Sequence, residues 1–413
     1  MRLPCLTWSR PIAPSWRIST LIFLLDTTQI GESHAPFTRA FTRLVGLAFP
    51  DQELVLRARA SHLQVAFAQP DPVLTRRLSL EPIAEDAPTS IAASISLLLD
   101  VRRRAGRGCH LVIFLTGRPA DIWAAKLMRR VDPGLRCHLV MHGDVNSITK
   151  PRSRHPLRRL GDYRGSIGYA RHPDVRLIAL EAHVRASIEA VLPAAAGQID
   201  VLPHPCVPTD APWHLRQRPG APLRFGLIGI AGRSKGLDVF ARVARRVVDA
   251  VGAAVDFRVV GKFQPGWQAL DLEAISGPRP FAETWLPAEV FEREVAALDY
   301  IILPYDMRYY AFAASGVMLD VLRTRTPVIC FHNPAIADVA ARHGDIGHVC
   351  ADEDEIVAVV MSLVTAVDPS RYRAQQMNLD AAYRDRLPDA LATAYHDLVQ
   401  GLWEVEPLAP AGR

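Results

Sequence analysis

Two stretches of this 413-residue chain place anion-binding residue types at the end of an apolar strand. The first is Phe225-Gly226-Leu227-Ile228-Gly229, followed by a loop holding Arg233, Ser234 and Lys235 and a helical pattern from Gly236. Glycine lets a backbone approach a ligand closely, and a helix start presents free N–H groups to anions. Arg233 and Lys235 would add charge-assisted bonds to a diphosphate. The plainer alternative is a polar strand–helix turn with two solvated cations.

The second stretch is Tyr300-Ile301-Ile302-Leu303-Pro304, a buried strand followed by Tyr305 and then by Ala314-Ser315-Gly316-Val317 entering a short helix. Ser315 is placed to cap that helix, and the bare Gly316 backbone leaves room for phosphate oxygens. Asp320, one turn in, can accept ribose hydroxyls or simply complement the helix dipole.

Several familiar chemistries are excluded by what is missing. Gly232-Arg233-Ser234-Lys235-Gly236 lacks the spacing of a phosphate-binding Walker loop, and Gly226, Gly229 and Gly232 do not make the dinucleotide fingerprint. No His-Glu-x-x-His or Cys-x-x-Cys occurs, so no metal site and no cofactor is expected. Asp352-Glu353-Asp354 reads as first-turn acids of a helix rather than metal ligands. The six cysteines have no paired short spacing, which favours a reducing, cytoplasmic location. Apolar runs such as Leu21–Leu25 are strand-length, far short of the roughly 20 residues of a membrane span. The run at Leu21–Leu25 ends at Asp26 with no small-x-small cleavage site, so a first core strand after a flexible tail (1–17) is expected.

The elements that must position these residues alternate strand and helix, the α/β signature. Strands are expected near 19–25, 63–67, 111–115, 137–142, 176–180 and 199–202, with helices near 34–48, 90–104, 119–131 and 181–192. Proline-rich 206–222 reads as a linker. The pattern restarts with strands near 224–229, 256–261, 300–303 and 327–331, and helices near 236–251, 287–297, 316–323, 334–342 and 353–366. The stretch 370–413 reads as helical, broken near Pro388, and packing back across the domains. Two Rossmann-like doubly wound domains, 18–205 and 223–369, would face one another across a cleft, and ligands of such sheets lie at the carboxyl ends of the strands.

Charge is uneven. Residues 1–205 carry net +10 and residues 206–413 net −5, with net +12 inside 101–176. The first half would therefore meet an anionic partner, or merely carry a solvated basic surface. It lacks the interleaved aromatics of a single-strand groove, which argues against nucleic acid.

Taken together, Gly229 through Lys235-Gly236, Leu303-Pro304, Ser315-Gly316-Val317, Leu319-Asp320, Thr326-Pro327-Val328 and Ile346-Gly347 resemble the donor half of GT-B glycosyltransferases, in particular the family-four group. The resemblance spans 222–366 closely and the first half in outline. It implies transfer of a sugar from a nucleotide-diphosphate sugar without a metal, with Lys235 and Arg233 on the diphosphate and Ser315, Gly316 and Val317 supporting its phosphates. Two departures stand out. The family carries a pair of glutamates with seven residues between them, where this chain has Phe312 and Asp320. The family arginine directly follows the glycine, where this chain has Ile230.

On the acceptor side the resemblance implies a glycine-containing loop after the first strand, here Gly31, Glu32 and His34. Met141-His142-Gly143-Asp144 resembles the family's strand-terminal His-Gly. His142 would hydrogen-bond the transferred sugar and Asp144 would act as general base if the enzyme inverts; a buried, satisfied histidine and a turn aspartate are the alternative. Glu181 reads as a first-turn acid, and His204 as structural or cleft-lining. The acceptor implied is a glycan or a polyprenyl-diphosphate-linked one, made in exopolysaccharide or cell-surface assembly. The inner face of the cell membrane would then be a docking surface for the basic half. A sugar-nucleotide epimerase and a non-catalytic partner protein of the same fold remain open alternatives.

Overall fold

The computed structural model describes residues 18–106, 108–142, 145–150, 155, 157–209, 213–305 and 310–401. The first half runs β1 (Ile18–Asp26), α1 (Ala35–Ala48), β2 (Glu53–Arg59), α2 (Ala60–Ala66), β3 (Leu78–Ile83), α3 (Ile91–Ala105) and β4 (Cys109–Phe114). It continues with α4 (Pro119–Met128), β5 (Leu135–Val140), α5 (Tyr163–Gly168), β6 (Val175–Ala179), α6 (Ala182–Val191) and β7 (Ile199–Val201). These strands form one seven-stranded parallel sheet in the order β3-β2-β1-β4-β5-β6-β7. Ile22 to Leu25 are at most 1% exposed, because a central parallel strand is covered by helices on both faces.

The second half runs β8 (Leu223–Ala231), α7 (Leu237–Val251), β9 (Val255–Phe263), β10 (Ile275–Ser276), α8 (Ala288–Ala296), β11 (Tyr300–Leu303) and α9 (Gly316–Thr324). Then come β12 (Val328–Phe331), α10 (Pro334–His343), β13 (Gly347–Cys350), α11 (Glu353–Thr365), α12 (Pro369–Arg384) and α13 (Pro388–Gly401). Its six-stranded parallel sheet has the order β10-β9-β8-β11-β12-β13. Helix α7 shows why such a segment folds as it does. Leu237, Phe240, Ala241, Val243, Ala244 and Val247 are buried at helical spacing, while Arg242 and Arg246 reach outward to Glu353 and Asp354.

Both sheets reverse strand order once, between β1 and β4 and between β8 and β11, and these are the crevices where doubly wound sheets bind ligands. Helix α13 closes the first half. Leu391, Tyr395 and Val399, one turn apart, join the core formed by Ile22, Leu24 and Phe41. The Tyr395 hydroxyl lies 3.1 Å from His138 Nδ1. The segment before β8 is tied to the second half by buried Asp299, which accepts from the Gly220 and Arg224 N–H groups at 2.9 Å each and from Arg216 at 3.1 Å.

The expected strand at 63–67 is instead helix α2, and the strand lies earlier, at Glu53–Arg59. Arg57 and Arg59 break up its apolar run, yet both are accommodated: Arg57 pairs with Glu81 and Asp100, and Arg59 donates to the carbonyls of Thr27, Ala84 and Ala87. Strands β3, β10 and β13 add edges to the sheets that the apolar pattern does not reveal, because edge strands are short or polar. Among the described residues, all five cysteines are buried and free.

Candidate functional site

The end of β8, the turn after it and the start of α9 converge at the second sheet's crevice. Gly229 has φ +86°, and a Cβ there would lie 3.1 Å from Val317 Cγ2 and 3.9 Å from Lys235 Nζ. Gly236 has φ +69° and heads α7; its Cβ would fall 2.0 Å from the Pro304 carbonyl oxygen. Both positions therefore demand glycine, and the close approach they permit gathers Gly229, Lys235 and Val317 at one point.

Lys235 Nζ lies 5.3 Å from the Tyr305 ring centre and 5.8 Å from that of Tyr310, and these rings stack at 4.5 Å. Burial pushes the ammonium down to about 8, with Asp320 pulling the other way. Among the described residues no carboxylate makes an ion pair with it. Asp320 is pushed up to about 6 by burial, opposed first by Arg323 and then by Lys235. Its side chain still keeps 28% of its surface, so this crowded carboxylate lies on an open floor rather than in a sealed core. The first turn of α9 holds no acid, so Asp320 is not a dipole complement; it pairs with Arg323 at 3.3 Å.

Ser315 occupies the N-cap position of α9, but its hydroxyl makes no capping bond. Among the described residues, the buried Ser315 and Tyr305 hydroxyls have no partner that meets hydrogen-bond geometry, although Ser315 lies close enough to pull the Tyr305 phenol down against its burial. Gly316 is exposed, and among the described residues no neighbour lies within 4 Å of a Cβ built there. Arg233 projects into solvent from the turn Arg233–Lys235. An aromatic-lined cation, two hydroxyls and open helix-start amides thus gather at one crevice, and groups of these types could hold a phosphate-bearing ligand. The two tyrosines are the members the sequence reading passed over. Their signal was Tyr305 following the Leu303-Pro304 strand end at the sheet's reversal.

On the facing half, His34 and His142 do meet, edge to face at 4.1 Å, with Phe37 4.2 Å from His142 and His204 5.6 Å from it. Burial drives His142 well below the ordinary histidine range, with His34 and His204 adding to the effect. His34 is lowered by burial and then by His62, and His204 is pushed down to about 3 by burial. Each shift favours the neutral imidazole. They can orient hydroxyl groups, and His142 Nδ1 has no partner among the described residues. Gly31 and Glu32 lie in the turn before α1, Glu32 in solvent and Gly31 at φ +54°. Asp144 lies outside the described residues.

Glu181 does not act as a first-turn acid: it is buried in a two-pronged ion pair with Arg386. Asp352 does cap its helix, accepting from the Glu355 N–H at 2.9 Å. Phe312, where the resemblance expects a carboxylate, is 7% exposed and joins the core of the first half, and Ala314 packs on that half's second core. A separate groove of about 510 Å³, between Trp213, Leu215 and α12, lies outside this convergence. Among the described residues, no cluster of three or more His, Cys, Asp or Glu side chains could hold a metal ion.

No family model and no curated protein matches this sequence. Solved structures match the fold over nearly its whole length. Sucrose-phosphate synthase from Thermosynechococcus elongatus superposes with a TM-score of 0.59 at 13% identity, covering 92% of this chain and 99% of its own. WaaG, a glycosyltransferase involved in lipopolysaccharide biosynthesis, gives 0.58 at 15% identity over 92% and 100%. HepE from Anabaena in complex with UDP gives 0.58 at 12% identity over 93% and 100%. The chain has the GT-B fold: two parallel α/β sheets with Rossmann-like order, facing one another.

Proposed function

We propose that this protein is a glycosyltransferase that moves a sugar, of hexosyl type, from a nucleotide-diphosphate sugar to an acceptor hydroxyl. The observation that carries the reading is Lys235, a desolvated ammonium held beside Gly229 and Val317 with the open Gly316 backbone nearby. As the bond from the sugar's anomeric carbon to the diphosphate oxygen breaks, charge builds on the diphosphate. Lys235, Arg233 and the first amides of α9 would stabilise that leaving group. The acceptor oxygen attacks the same carbon and its proton passes to a base; Asp144 is the residue we assign, with His142 orienting the sugar.

The acceptor we favour is a glycan or a polyprenyl-diphosphate-linked saccharide of cell-surface or exopolysaccharide assembly, met in the cytoplasm or at the inner membrane face. Among the described residues no helix is long and apolar enough to cross a membrane. Internal carboxylates satisfy part of the basic excess: Arg129 and Arg136 share Asp174, and Arg104 pairs with Glu81. A non-catalytic partner protein is the second reading, favoured by Phe312 in place of a carboxylate. The test is thermal stabilisation by UDP, GDP and their sugars. One nucleotide should stabilise the wild type and lose its effect in Lys235→Ala. Asp144→Asn should keep that binding and lose transfer. No shift with any nucleotide at saturating concentration would reject the transferase.

A further inference from the structure

A second constellation lies behind the acceptor-side loop, out of reach of any ligand. Asp26 ends β1 and is 1% exposed; Thr38 and His62 have no exposed surface. Thr38 Oγ1 lies 3.3 Å from Asp26 Oδ2 and 2.9 Å from His62 Nε2. His62 Nδ1 lies 2.9 Å from the Gly31 carbonyl oxygen. The Gly31 N–H donates to Ser61 Oγ at 3.1 Å, and Ser61 is in turn held by Glu85. Successive residues of α2 thus grip both polar groups of one peptide-bearing residue. Two positions with positive φ flank the gripped turn, Gly31 at +54° and His34 at +56°. For a histidine that backbone state is strained and persists only where surroundings enforce it.

The proton count follows from the acceptors. A carbonyl oxygen only accepts, so His62 Nδ1 carries a hydrogen. Thr38 has one hydroxyl hydrogen and must serve two neighbours. If it donates to an ionised Asp26, His62 Nε2 must also carry a hydrogen, giving an imidazolium–carboxylate pair 3.9 Å apart. If it donates to His62 Nε2, Asp26 must be protonated and donate to it. Both arrangements hold the same protons, and they interconvert by passing one along the chain. Removing one proton leaves a link unmade inside the core, at a cost natural proteins avoid.

We propose that Asp26, Thr38 and His62 form a buried positioning relay, carrying one proton more than a carboxylate beside a neutral imidazole, which fixes the Gly31 carbonyl and so sets His34 against His142. The proposal rests on the reading of this loop as the acceptor side of the cleft. It gives His62 a role in function without contact with substrate. Burial holds the Asp26 carboxyl above its ordinary range, against the pull of His62, which fits a retained proton.

The wiring is tested on the full-length wild-type protein by long-range ¹H–¹⁵N NMR of its histidine rings with the ¹³C shift of the Asp26 carboxyl. Two protonated His62 nitrogens, or one at Nδ1 with a protonated Asp26, is the expected result. A neutral His62 beside an ionised Asp26 overturns the relay. Positioning is tested by His62→Asn, whose amide can reach Gly31, and His62→Gln, whose amide reaches Thr38 instead. Amide exchange at residues 32–34 should stay near wild type in the first and rise about tenfold or more in the second. Equal protection in both variants would remove Gly31 from the mechanism, and if neither folds, the wild-type spectrum still decides. UDP binding should be unchanged in either variant. Its absence in the wild type would defeat the donor-site reading while leaving the relay intact.

Discussion

Glu181 and Arg386, 205 residues apart in sequence, form a buried two-pronged ion pair between the first sheet and the turn joining α12 to α13. Both are 5% exposed. The Arg386 carbonyl also accepts the Cys206 N–H at 2.8 Å, so one residue ties the chain's crossing in both directions. Losing one partner strands a buried charge, which costs about 3–5 kcal/mol, whereas losing both can be nearly neutral. Arg386→Met should therefore lower urea-unfolding stability by that amount, and Glu181→Leu/Arg386→Met should recover most of it. A double variant as unstable as the sum of the singles would mean that the pair is not coupled.

Gly316 separates binding from stability. Because no neighbour among the described residues stands within 4 Å of a Cβ there, Gly316→Val should fold with a stability within about 1 kcal/mol of wild type. If phosphate oxygens approach that backbone, the same substitution should weaken nucleotide binding at least about tenfold in calorimetry. Unchanged affinity would move the diphosphate away from α9.

Phe312 shows how a sequence departure becomes interpretable only in three dimensions. By motif it stands where a carboxylate is expected. In the fold it serves the first half's core. Phe312→Ala should cost about 3–5 kcal/mol, and Phe312→Glu at least as much, since it buries a charge. A glutamate at this position should thus lower stability without raising transfer. A stable, more active Phe312→Glu would show that the side chain faces the donor sugar instead.

What was legible in the chain follows from the range of the forces involved. The strand of Ile22 to Leu25 and the face of α7 read from local periodicity, because burial on a sheet or helix repeats along the sequence. Gly229, Lys235 and Val317 were legible because each is at a strand end or helix start. Strand β2 was not, since Arg57 and Arg59 find their partners across the fold, 24 or more residues away. The pairing of His62 with Asp26 was equally hidden: nothing marks a histidine just before the expected strand at 63–67 as a partner of β1.

Acid should expose the buried histidines. His138 is pushed down to about 4 and His204 to about 3, both by burial, from an ordinary value of 6.5. The unfolded chain then binds protons that the folded one refuses, so stability is full above about pH 6.5 and falls as pH drops toward 4. For His138 alone the loss is on the order of 3 kcal/mol. His138→Gln should flatten this acid limb in urea titrations between pH 7 and 4. A limb unchanged in the variant would mean that His138 is already charged beside Tyr395.

Lys235 predicts an opposite limb for binding. Its folded-state value of about 8 means that the free protein loses the ammonium as pH rises through that region. A diphosphate prefers the charged form, so binding should draw a proton onto Lys235 above pH 8 and affinity should fall there, by up to about tenfold per pH unit. Calorimetry of UDP binding in buffers of different ionisation enthalpy measures that proton uptake directly. Lys235→Arg keeps its charge throughout and should bind with an affinity independent of pH between about 7 and 9, a window set by the roughly one-unit reach of a single titration on either side of its midpoint. If wild type and Lys235→Arg give parallel profiles, the titrating group is elsewhere and Lys235 does not hold the diphosphate. If only wild type declines, the half-buried ammonium beside Gly229, Tyr305 and Tyr310 is the group that recognises the nucleotide.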